Sequence, residues 1–383
     1  MARTDLIATA AFGLESQVAY ELKQLGYEDQ QVEQGRVTFS ADAAAIARAN
    51  LWLRVADRVL YRVGEFPAKD FDALYDQVRA LPWGELMPVD ACFPVDGKSV
   101  KSQLSSVPAV QSVTKKAIVD ALAARYGQSQ LPETGPRYKV LVSLLNDVAT
   151  LTIDTSGEGL HKRGYRTLVA TAPLKETLAA GLISLARWRP ERPFADPLCG
   201  SGTLPIEAAL IGLNVAPGKF RRFDAENWPF VPASVWREAR HEAIAAEKRD
   251  RTLLISGSDV DAEVLDLARL HAKQAGVGDR VRFERRPVAD FTPAGEYGVI
   301  VTNPPYGERL SEAREVEQLY REMGAAFSRA SSWSVYVLTA FEQFERFYGK
   351  QADKKRKLYN GRIRCDLYQY LGPRPPRPER PAE

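Results

Sequence analysis

Three short motifs in the second half of the chain carry residue types that can bind a ligand and do chemistry. The first, DPLCGSGTLPIEAAL (196–210), follows a short apolar run and leads into a helix predicted to begin near Thr203. Gly200 and Gly202 let the backbone approach a ligand closely, and the first N–H groups of the helix favour a carboxylate or phosphate. The spacing differs from the dinucleotide fingerprint G-x-G-x-x-G, so this motif alone predicts a generic nucleotide-binding turn, with a structural turn as the alternative.

The second motif narrows the kind of ligand. The segment LLISGSDVDAEVLDLARL (253–270) predicts a strand that ends at Asp259 and a helix capped by Asp261. An acidic side chain at the end of the second strand after a glycine turn can accept hydrogen bonds from the ribose hydroxyls of a cofactor. The third strand leads to Asp290, whose carboxylate is placed to accept a bond from an adenine amino group. We therefore expect Asp259 and Asp290 to contact a nucleoside cofactor.

The third motif places Asn303, Pro304, Pro305 and Tyr306 directly after the apolar run VIVT. Open α/β sheets bind their ligands here, beyond the carboxyl ends of the strands. The two prolines stiffen the loop, and the Pro304 carbonyl faces no following N–H group. The Asn303 side-chain oxygen and the Pro304 carbonyl can therefore accept two hydrogen bonds from one –NH2 group.

An –NH2 group on an aromatic ring is a poor nucleophile, because its lone pair is conjugated into the ring. Two fixed acceptors draw the nitrogen towards tetrahedral geometry and stabilise the positive charge that develops as it attacks a sulfonium methyl in line. Tyr306 is placed to stack on a base that has left its helix. The motif predicts methyl transfer to an exocyclic amine, with Asn303, Pro304, Pro305 and Tyr306 as the catalytic residues, and a purely structural Pro-Pro turn as the alternative.

The elements around these motifs alternate helices with short, continuously apolar strands. The predicted strands are FAD (194–196), LLISGSD (253–259), VRFERR (281–286), YGVIVTN (297–303) and SVYVLTA (334–340). Such runs between helices indicate a mostly parallel sheet covered on both faces. LYNGRIRCDLYQY (358–370) predicts an antiparallel hairpin that closes the sheet, and residues 373–383 predict a disordered tail.

The first 160 residues alternate predicted strands with predicted helices, as α+β units do. We predict strands at 6–12, 31–40, 51–66 and 91–95, helices at 15–25, 42–50, 71–81 and 107–126, and a hairpin of 138–145 with 148–154 around Asn146-Asp147. The segment HKRGYR (161–166) reads as a linker to the α/β part.

Charge is distributed unevenly along the chain. Residues 1–160 carry 16 Lys and Arg against 20 Asp and Glu, yet residues 98–139 carry seven basic residues against two acidic ones. A local patch of this kind predicts a phosphate-contacting surface, with an ordinary solvated helix face as the alternative. A second basic stretch, residues 350–374, holds eight Lys and Arg against two Asp. The RNA-contact candidates are Lys98, Lys101, Lys115, Lys116, Lys162, Arg163, Arg166, Arg221 and Arg222.

Several classes of protein are disfavoured by composition. The three cysteines lie far apart and the three histidines form no cluster at metal-ligand spacing, so neither a disulfide framework nor a metal site is expected. No run of about 18 apolar residues occurs, and the N-terminus lacks the pattern of a secretion signal. We expect a cytoplasmic protein.

In this order, the three motifs resemble a class I methyltransferase that acts on amino groups. Further segments resemble the bacterial THUMP-domain RNA methyltransferase family, which includes the 23S rRNA guanine-N2 methyltransferase and shorter Gram-positive relatives. These segments are SQLSSVPAVQSVTKKAIVDAL (102–122), TLTIDTSGEGLHKRGYRT (150–167), APLKETLAAGL (172–182) and RRFDAENWPF (221–230). The similarity spans about residues 3 to 372.

The resemblance implies a ferredoxin-like unit at 1–50, a THUMP RNA-binding domain at 51–160 and a Rossmann-like methyltransferase domain at 161–372 with a mostly parallel seven-stranded sheet. It implies S-adenosylmethionine as the cofactor. The cofactor contacts expected from the motifs together are Asp196, Pro197, Gly200, Ser201, Gly202, Thr203, Asp259, Asp290 and Asn303. HKRGYR and the residues around Pro173 and Glu176 lie where the family closes over the cofactor.

We therefore expect an RNA methyltransferase acting on N2 of a guanine in 23S rRNA. The nearest alternative is a tRNA guanine-N2 methyltransferase, because THUMP domains also bind the tRNA acceptor stem. An adenine-N6 DNA methyltransferase would need a DNA-reading domain in place of the THUMP-like region. A ribosome-assembly factor that binds RNA without catalysis is the alternative from another class.

Overall fold

The computed structural model describes residues 4–166, 174–307 and 313–376 of the 383-residue chain. Their strands are β1 (Thr4–Thr9), β2 (Gln30–Glu33), β3 (Arg36–Ala41), β4 (Arg58–Pro67), β5 (Val95–Val100), β6 (Lys139–Leu145), β7 (Val148–Asp154), β8 (Phe194–Asp196), β9 (Ile255–Asp259), β10 (Arg282–Arg285), β11 (Val299–Thr302), β12 (Ser334–Thr339), β13 (Lys354–Asn360) and β14 (Ile363–Tyr370).

Helices connect most of these strands. They are α1 (Glu15–Gln24), α2 (Ala44–Trp52), α3 (Phe71–Arg79), α4 (Trp83–Leu86), α5 (Val107–Tyr126), α6 (Glu176–Leu185), α7 (Thr203–Gly212), α8 (Ala233–Ala245), α9 (Ala262–Gln274), α10 (Ala313–Ser328) and α11 (Phe344–Tyr348). None of the helices in the described part of the chain combines the length and the apolar composition that crossing a bilayer requires.

Two compact units divide the described residues. The first takes its residues from 1–10, 18–160 and 218–245, and the second from 11–17, 161–217 and 246–383. The chain therefore passes between the units several times. Residues 11–17 belong to the second unit and residues 218–245 to the first, although the residues on either side of each segment belong to the other unit.

The first unit contains a seven-stranded sheet in the order β2-β3-β1-β4-β7-β6-β5. All neighbouring pairs are antiparallel except β5 and β6. The β6–β7 hairpin turns at Asn146 and Asp147, which adopt φ of 51° and 63°. Positive φ at both turn residues is the geometry that a two-residue hairpin needs, so the predicted turn is confirmed.

The second unit contains a seven-stranded sheet in the order β10-β9-β8-β11-β12-β14-β13. The first five strands are parallel to one another, and β14 is antiparallel to both β12 and β13. A buried aromatic and aliphatic cluster, including Tyr320, Phe344 and Tyr368, packs α10 and α11 against one face of this sheet. The expected α/β architecture, a mostly parallel sheet closed by an antiparallel hairpin, is confirmed.

Several element boundaries differ from the sequence predictions. Residues 31–40 form the hairpin β2–β3 rather than one strand, because Gly35 takes φ 78° and reverses the chain. The predicted strand 51–66 begins only at Arg58, since α2 continues to Trp52. The predicted strand 91–95 is replaced by β5, which starts at Val95. Within the predicted tail, residues 377–383 lie outside the described residues.

Candidate active site

The three motifs lie at one edge of the parallel sheet. Asp259 ends β9, Asp196 ends β8 and Thr302 ends β11, and these three strands are neighbours in the order β9-β8-β11. From β8 the chain moves outwards through β9 to β10 and then returns to the other side of β8 at β11. Ligands of open α/β sheets bind at such a reversal, beyond the carboxyl ends of the strands.

The glycine turn after β8 depends on backbone conformations that suit glycine. Gly200 has φ 49° and Gly202 has φ 82°. A Cβ at Gly202 would lie 3.0 Å from the Ala268 side chain on α9 and 3.0 Å from the Phe283 ring. A Cβ at Gly200 would meet no atom within 4 Å. Close packing therefore requires Gly202, whereas Gly200 borders open space from which a ligand can approach the backbone.

Asp259 connects the glycine turn to the second motif. Its Oδ2 accepts a hydrogen bond of 2.9 Å from the Gly200 N–H, and its Oδ1 accepts one of 3.2 Å from the Asp261 N–H. Each carboxylate oxygen has a second lone pair and can still accept a bond from a ligand hydroxyl. The predicted cap is confirmed, because the Asp261 side chain accepts from the N–H groups of Glu263 and Val264.

Asp196 lies beneath this edge of the sheet and is only 2% exposed. Its Oδ1 accepts hydrogen bonds from the Thr302 hydroxyl at 2.7 Å and from the Leu198 N–H at 3.2 Å. Burial raises the pKa of the Asp196 carboxyl to about 7, although both hydrogen bonds oppose the shift. In this position Asp196 joins the ends of β8 and β11 and offers little surface to a ligand.

The Asn-Pro-Pro-Tyr loop is fixed by two tyrosine hydroxyls. Tyr306 donates a hydrogen bond of 2.5 Å to the Asn303 side-chain oxygen. Tyr320, on α10, donates one of 2.8 Å to the Pro305 carbonyl. Asn360, at the end of β13, donates one of 3.3 Å to the Tyr306 hydroxyl. Burial raises the pKa of the Tyr306 hydroxyl well above its ordinary value, so this group remains a donor near neutral pH.

Two acceptors in the loop retain capacity for a ligand. The Asn303 oxygen has a second lone pair beside the one that Tyr306 uses. No donor in the described part of the chain reaches the Pro304 carbonyl. That these two oxygens bind one –NH2 group stays a prediction from the sequence.

The predicted cofactor residues divide by accessibility. Asp196, Pro197, Ser201, Gly202 and Thr203 are buried. Gly200, Asp259 and Asn303 are partly exposed, and Asp290 is exposed. Open space at Gly200 with a carboxylate beside it fits a nucleoside ligand that approaches the turn backbone. The buried residues are placed to shape the turn from below.

The linker segment 161–166 is tied to the helix that follows the glycine turn. Arg163 lies 3.4 Å from Glu207 of α7, and both side chains are almost fully buried. The Tyr165 hydroxyl also donates to Glu207, at 3.1 Å. Arg166 pairs with Glu176 at 3.2 Å and donates to the Thr203 hydroxyl. Residues 167–173, which include Pro173, lie outside the described residues.

This arrangement corrects two of the RNA-contact predictions. Arg163 is 3% exposed and is engaged with Glu207, so it cannot reach RNA from this position. Arg221 is 9% exposed and donates to the carbonyls of Ser156, Glu158 and Gly159. Both arginines are structural because a buried guanidinium must direct its donors to protein acceptors. The sequence shows that a basic residue is charged, but it does not show whether its side chain already binds acceptors within the protein.

The remaining basic candidates differ in how far they are engaged. Lys115 binds Glu133 at 2.7 Å and lies over the Phe93 ring, and Lys116 binds Asp120 at 2.7 Å. The exposed candidates are Lys98, Lys101, Lys116, Lys162 and Arg222. Arg166 is held by the contacts to Glu176 and Thr203. Lys98 and Lys101, which form no ion pair with the described residues, are the better placed of these residues to contact phosphate.

Three side chains in the site were not predicted from the sequence. Thr302, Tyr320 and Asn360 each bind a member of the predicted motifs, and Thr302 directly precedes Asn303. The hydroxyl at the end of a fully apolar strand was the one available signal, because a buried Thr needs a partner. Tyr320 and Asn360 come from distant segments, and their sequence surroundings gave no indication of this contact.

Comparison with known families matches three successive parts of the chain. The family model described as "RMKL-like, methyltransferase domain" matches residues 163–369. The model described as "RlmL ferredoxin-like domain" matches residues 5–60, and the "THUMP domain" model matches residues 68–154.

Relatives similar over nearly the full length have also been described. "Putative RNA methyltransferase YpsC" of Bacillus subtilis is 52% identical over 97% of this chain and 96% of its own length. The structure of a "predicted N6-adenine-specific DNA methylase" from Listeria monocytogenes is 55% identical, with a TM-score of 0.93 and 97% of each chain covered. The structure of "SMU.472, a putative methyltransferase complexed with SAH" is 46% identical, with a TM-score of 0.92 over 98% of this chain and 100% of that one.

Proposed function

Since this chain belongs to the RMKL-like methyltransferase family and also matches the RlmL ferredoxin-like and THUMP domain models, we propose that it methylates N2 of a guanine in 23S rRNA. The observation that carries the proposal is the pair of acceptors formed by the Asn303 side-chain oxygen and the Pro304 carbonyl. They follow β11, next to the strand that leads into the glycine turn. Two acceptors suit an –NH2 group, which offers two N–H donors.

S-adenosylmethionine supplies a methyl group on a positively charged sulfur. The residues that would hold it are Gly200 through its backbone, Asp259 through a carboxylate that keeps free lone pairs, and Asp290 through its exposed carboxylate. The relative SMU.472 was crystallised with the demethylated product of this cofactor, which supports the assignment. Asp196, Ser201 and Thr203 would act from beneath, by keeping the turn and the start of α7 in place.

The work of the chain on the target amine is to orient it and stabilise charge. The Asn303 side-chain oxygen and the Pro304 carbonyl accept hydrogen bonds from the two N–H groups of the amine. These bonds direct the nitrogen lone pair out of the plane of the base. As the nitrogen bonds the methyl group, positive charge develops on it and both hydrogen bonds strengthen, because acceptors interact more strongly with a charged donor. The methyl–sulfur bond would break in the same step, and the methylated nitrogen would then lose one proton to water. Tyr306 fixes the Asn303 oxygen by its hydrogen bond, so the acceptor is oriented before the base arrives. Prolines at 304 and 305 limit movement of the loop.

RNA as the substrate is supported by the THUMP domain and by the name of the Bacillus relative. The exposed basic residues Lys98, Lys101 and Arg222 are the proposed phosphate contacts among the predicted ones. Lys116 and Lys162 remain candidates, whereas Arg163 and Arg221 are withdrawn.

We further propose the division into residues 1–50, 51–160 and 161–372 as ferredoxin-like, THUMP and methyltransferase domains. The three family matches follow the same order along the chain. The ferredoxin-like match ends at residue 60 and the THUMP match begins at residue 68, so we expect the first boundary later than residue 50, within residues 61–67.

The test of function compares RNA pools from a strain that lacks the gene. Wild-type protein and the Asn303→Ala variant are each incubated with labelled S-adenosylmethionine and one RNA, either 23S rRNA, 16S rRNA or tRNA, in separate reactions. Labelled N2-methylguanosine in 23S rRNA, identified by mass spectrometry and absent with the variant, is the expected result. Labelled tRNA alone would move the substrate to tRNA, and labelled N6-methyladenosine would overturn the choice of base. No labelled pool, together with no cofactor binding by calorimetry, would favour a non-catalytic RNA-binding role.

A further inference from the structure

The β13–β14 hairpin extends beyond the strand to which it is attached. Thr339, the last residue of β12, pairs with Asp366, while β14 and β13 continue to pair as far as Ile363 and Asn360. Because β12 runs parallel to β11, the tip of the hairpin projects at the edge where the Asn-Pro-Pro-Tyr loop lies. Asn360 in this tip donates to the Tyr306 hydroxyl. One face of the projecting hairpin therefore supports the Asn-Pro-Pro-Tyr loop.

The neighbouring residues of the hairpin carry an aromatic and basic cluster. The Tyr359 ring meets the Phe12 ring edge to face, with centroids 5.7 Å apart and an angle of 88°. The Lys357 ammonium lies 5.8 Å from the centre of the Phe12 ring and 5.6 Å from that of Tyr359. Phe12 is 40% exposed, and Lys357 is exposed. We name Phe12, Lys357 and Tyr359 the hairpin platform.

Phe12 comes from the segment 11–17, which belongs to the second unit. Gly13, with φ 86°, lies so close to the hairpin that a Cβ there would be 2.8 Å from the Lys357 carbonyl. The Arg356 side chain donates to the Gly13 carbonyl at 3.0 Å. Leu14, which follows Gly13, is fully buried. These contacts fix the backbone directly after Phe12 and so hold its ring at the surface. The ring is partly exposed, so its own burial does not account for this position.

The two faces of the hairpin are one residue apart. Successive side chains of a strand point to opposite faces, so Tyr359 lies on one face and Asn360 on the other. An RNA strand that crosses the projecting edge can place one nucleotide in the Asn303 loop and a neighbouring one on the platform. Arg364 pairs with Tyr359 across the hairpin and Asp366 with Lys357, so this face presents two cations and one carboxylate.

We propose that the hairpin platform binds a single-stranded nucleotide that flanks the methylated base, with its base stacked on the Phe12 ring beside Tyr359 and its phosphate near Lys357. This inference rests on the proposed RNA methyltransferase function and names a further part of its substrate site. Exposed aromatic rings with a nearby cation are how proteins hold unpaired bases, because every base offers a flat face for stacking.

The experiment measures binding of a fluorescein-labelled oligouridylate by anisotropy, and methylation of the deletion-strain rRNA, for wild type and four variants. Phe12→Ala should weaken oligouridylate binding about tenfold and raise KM for rRNA, because the stacking surface is lost. Phe12→Trp keeps a flat ring and should bind as wild type does. Tyr20→Ala is the matched control, since Tyr20 is 58% exposed on α1 and makes no ring or cation contact among the described residues. Lys357→Gln should lower the slope of log affinity against log salt by about 0.7, the value for one phosphate contact on a single strand.

The outcomes separate the platform from the function itself. If wild type methylates rRNA and Phe12→Ala matches it in both oligouridylate affinity and KM, the platform is wrong and the proposed function stands. The platform is equally wrong if wild type methylates rRNA but does not bind oligouridylate, or if Tyr20→Ala weakens binding as much as Phe12→Ala does. If wild type neither binds nor methylates any RNA, the proposed function fails and the platform with it.

Discussion

The Thr302 hydroxyl donates a hydrogen bond of 2.7 Å to the buried Asp196 carboxylate. Asp196 begins the first chemical motif, and Thr302 directly precedes Asn303 of the third. The bond thus joins the carboxyl ends of two neighbouring parallel strands, β8 and β11. A substitution at Asp196 is expected to alter the Asn-Pro-Pro-Tyr loop as well as the glycine turn.

The raised pKa of Asp196 predicts how stability depends on pH. A carboxyl group whose pKa rises from 3.8 in the unfolded chain to about 7 in the fold favours the protonated form in the fold. Its stabilising contribution is complete below about pH 4 and is lost as pH rises to about 7, with a slope of at most about 1.4 kcal/mol per pH unit.

The variant Asp196→Asn should remove this dependence. Both hydrogen bonds end on Oδ1, which the amide retains, so the contacts to Thr302 and Leu198 can persist. Urea unfolding without added cofactor should show that the free energy of unfolding of the variant, relative to that of wild type, increases as pH rises from 4 to 7. Parallel curves for the two proteins across this window would mean that the fold does not raise the pKa of Asp196.

Replacement of Asn303 tests the two-acceptor site. Asn303→Ala should lower kcat by about a hundredfold or more, the cost typical of removing one preorganised group that stabilises charge in the transition state. The affinity for S-adenosylmethionine, measured by calorimetry, should change little. Unchanged turnover would refute the assigned role, and a loss of cofactor affinity equal to the loss of rate would make Asn303 a binding residue only.

Tyr306 should contribute through its hydroxyl and its ring separately. Tyr306→Phe removes the donor that fixes the Asn303 oxygen but keeps the ring, so we expect kcat to fall by about tenfold, which corresponds to about 1.4 kcal/mol. KM for RNA should stay near the wild-type value. Tyr306→Ala should in addition raise KM for RNA, because a surface for the base is lost. Equal kinetics of the two variants would remove the ring from base binding.

The structural assignment of Arg163 predicts a loss of stability rather than of RNA affinity. Arg163→Met leaves the Glu207 carboxylate buried without its guanidinium partner, which typically costs about 3–5 kcal/mol. Arg222→Met, at an exposed arginine, is the control and should stay within about 0.5 kcal/mol of wild type. Urea unfolding provides the measurement. A variant at position 163 that is as stable as wild type would make Arg163 a candidate RNA contact again.

Lys98 and Lys101 are expected to contact phosphate. Changing both to Gln should weaken RNA binding in low salt. It should also reduce the slope of log affinity against log salt by the amount expected for the loss of two phosphate contacts. Lys116→Gln is the comparison, because Lys116 is bound to Asp120 and should contribute less. An unaltered salt slope in the double variant would locate the phosphate contacts on another surface.

The elements of the parallel sheet were predicted closely, because each is signalled locally. Phe194–Asp196 and the start of α7 at Thr203 agree with the prediction to the residue. Fully buried strands are continuous apolar runs, and the residues that end them change character abruptly. In the first unit the predictions were poorer, since half-exposed strands such as β2 and β5 have no such contrast with their neighbours.

By itself, the sequence determined the chemistry that the chain can offer: a glycine turn, acidic strand ends and an Asn-Pro-Pro-Tyr corner are each read over a few adjacent residues. Tertiary structure alone decided which charged and aromatic groups remain available. In the fold, Arg163 and Arg221 are buried and bind protein acceptors. Tyr306 and Tyr320 donate hydrogen bonds to the Asn-Pro-Pro-Tyr loop, and Phe12 contacts Tyr359 of the β13–β14 hairpin. These outcomes depend on burial and on pairs of residues far apart in the chain, and local spacing carries no information about either.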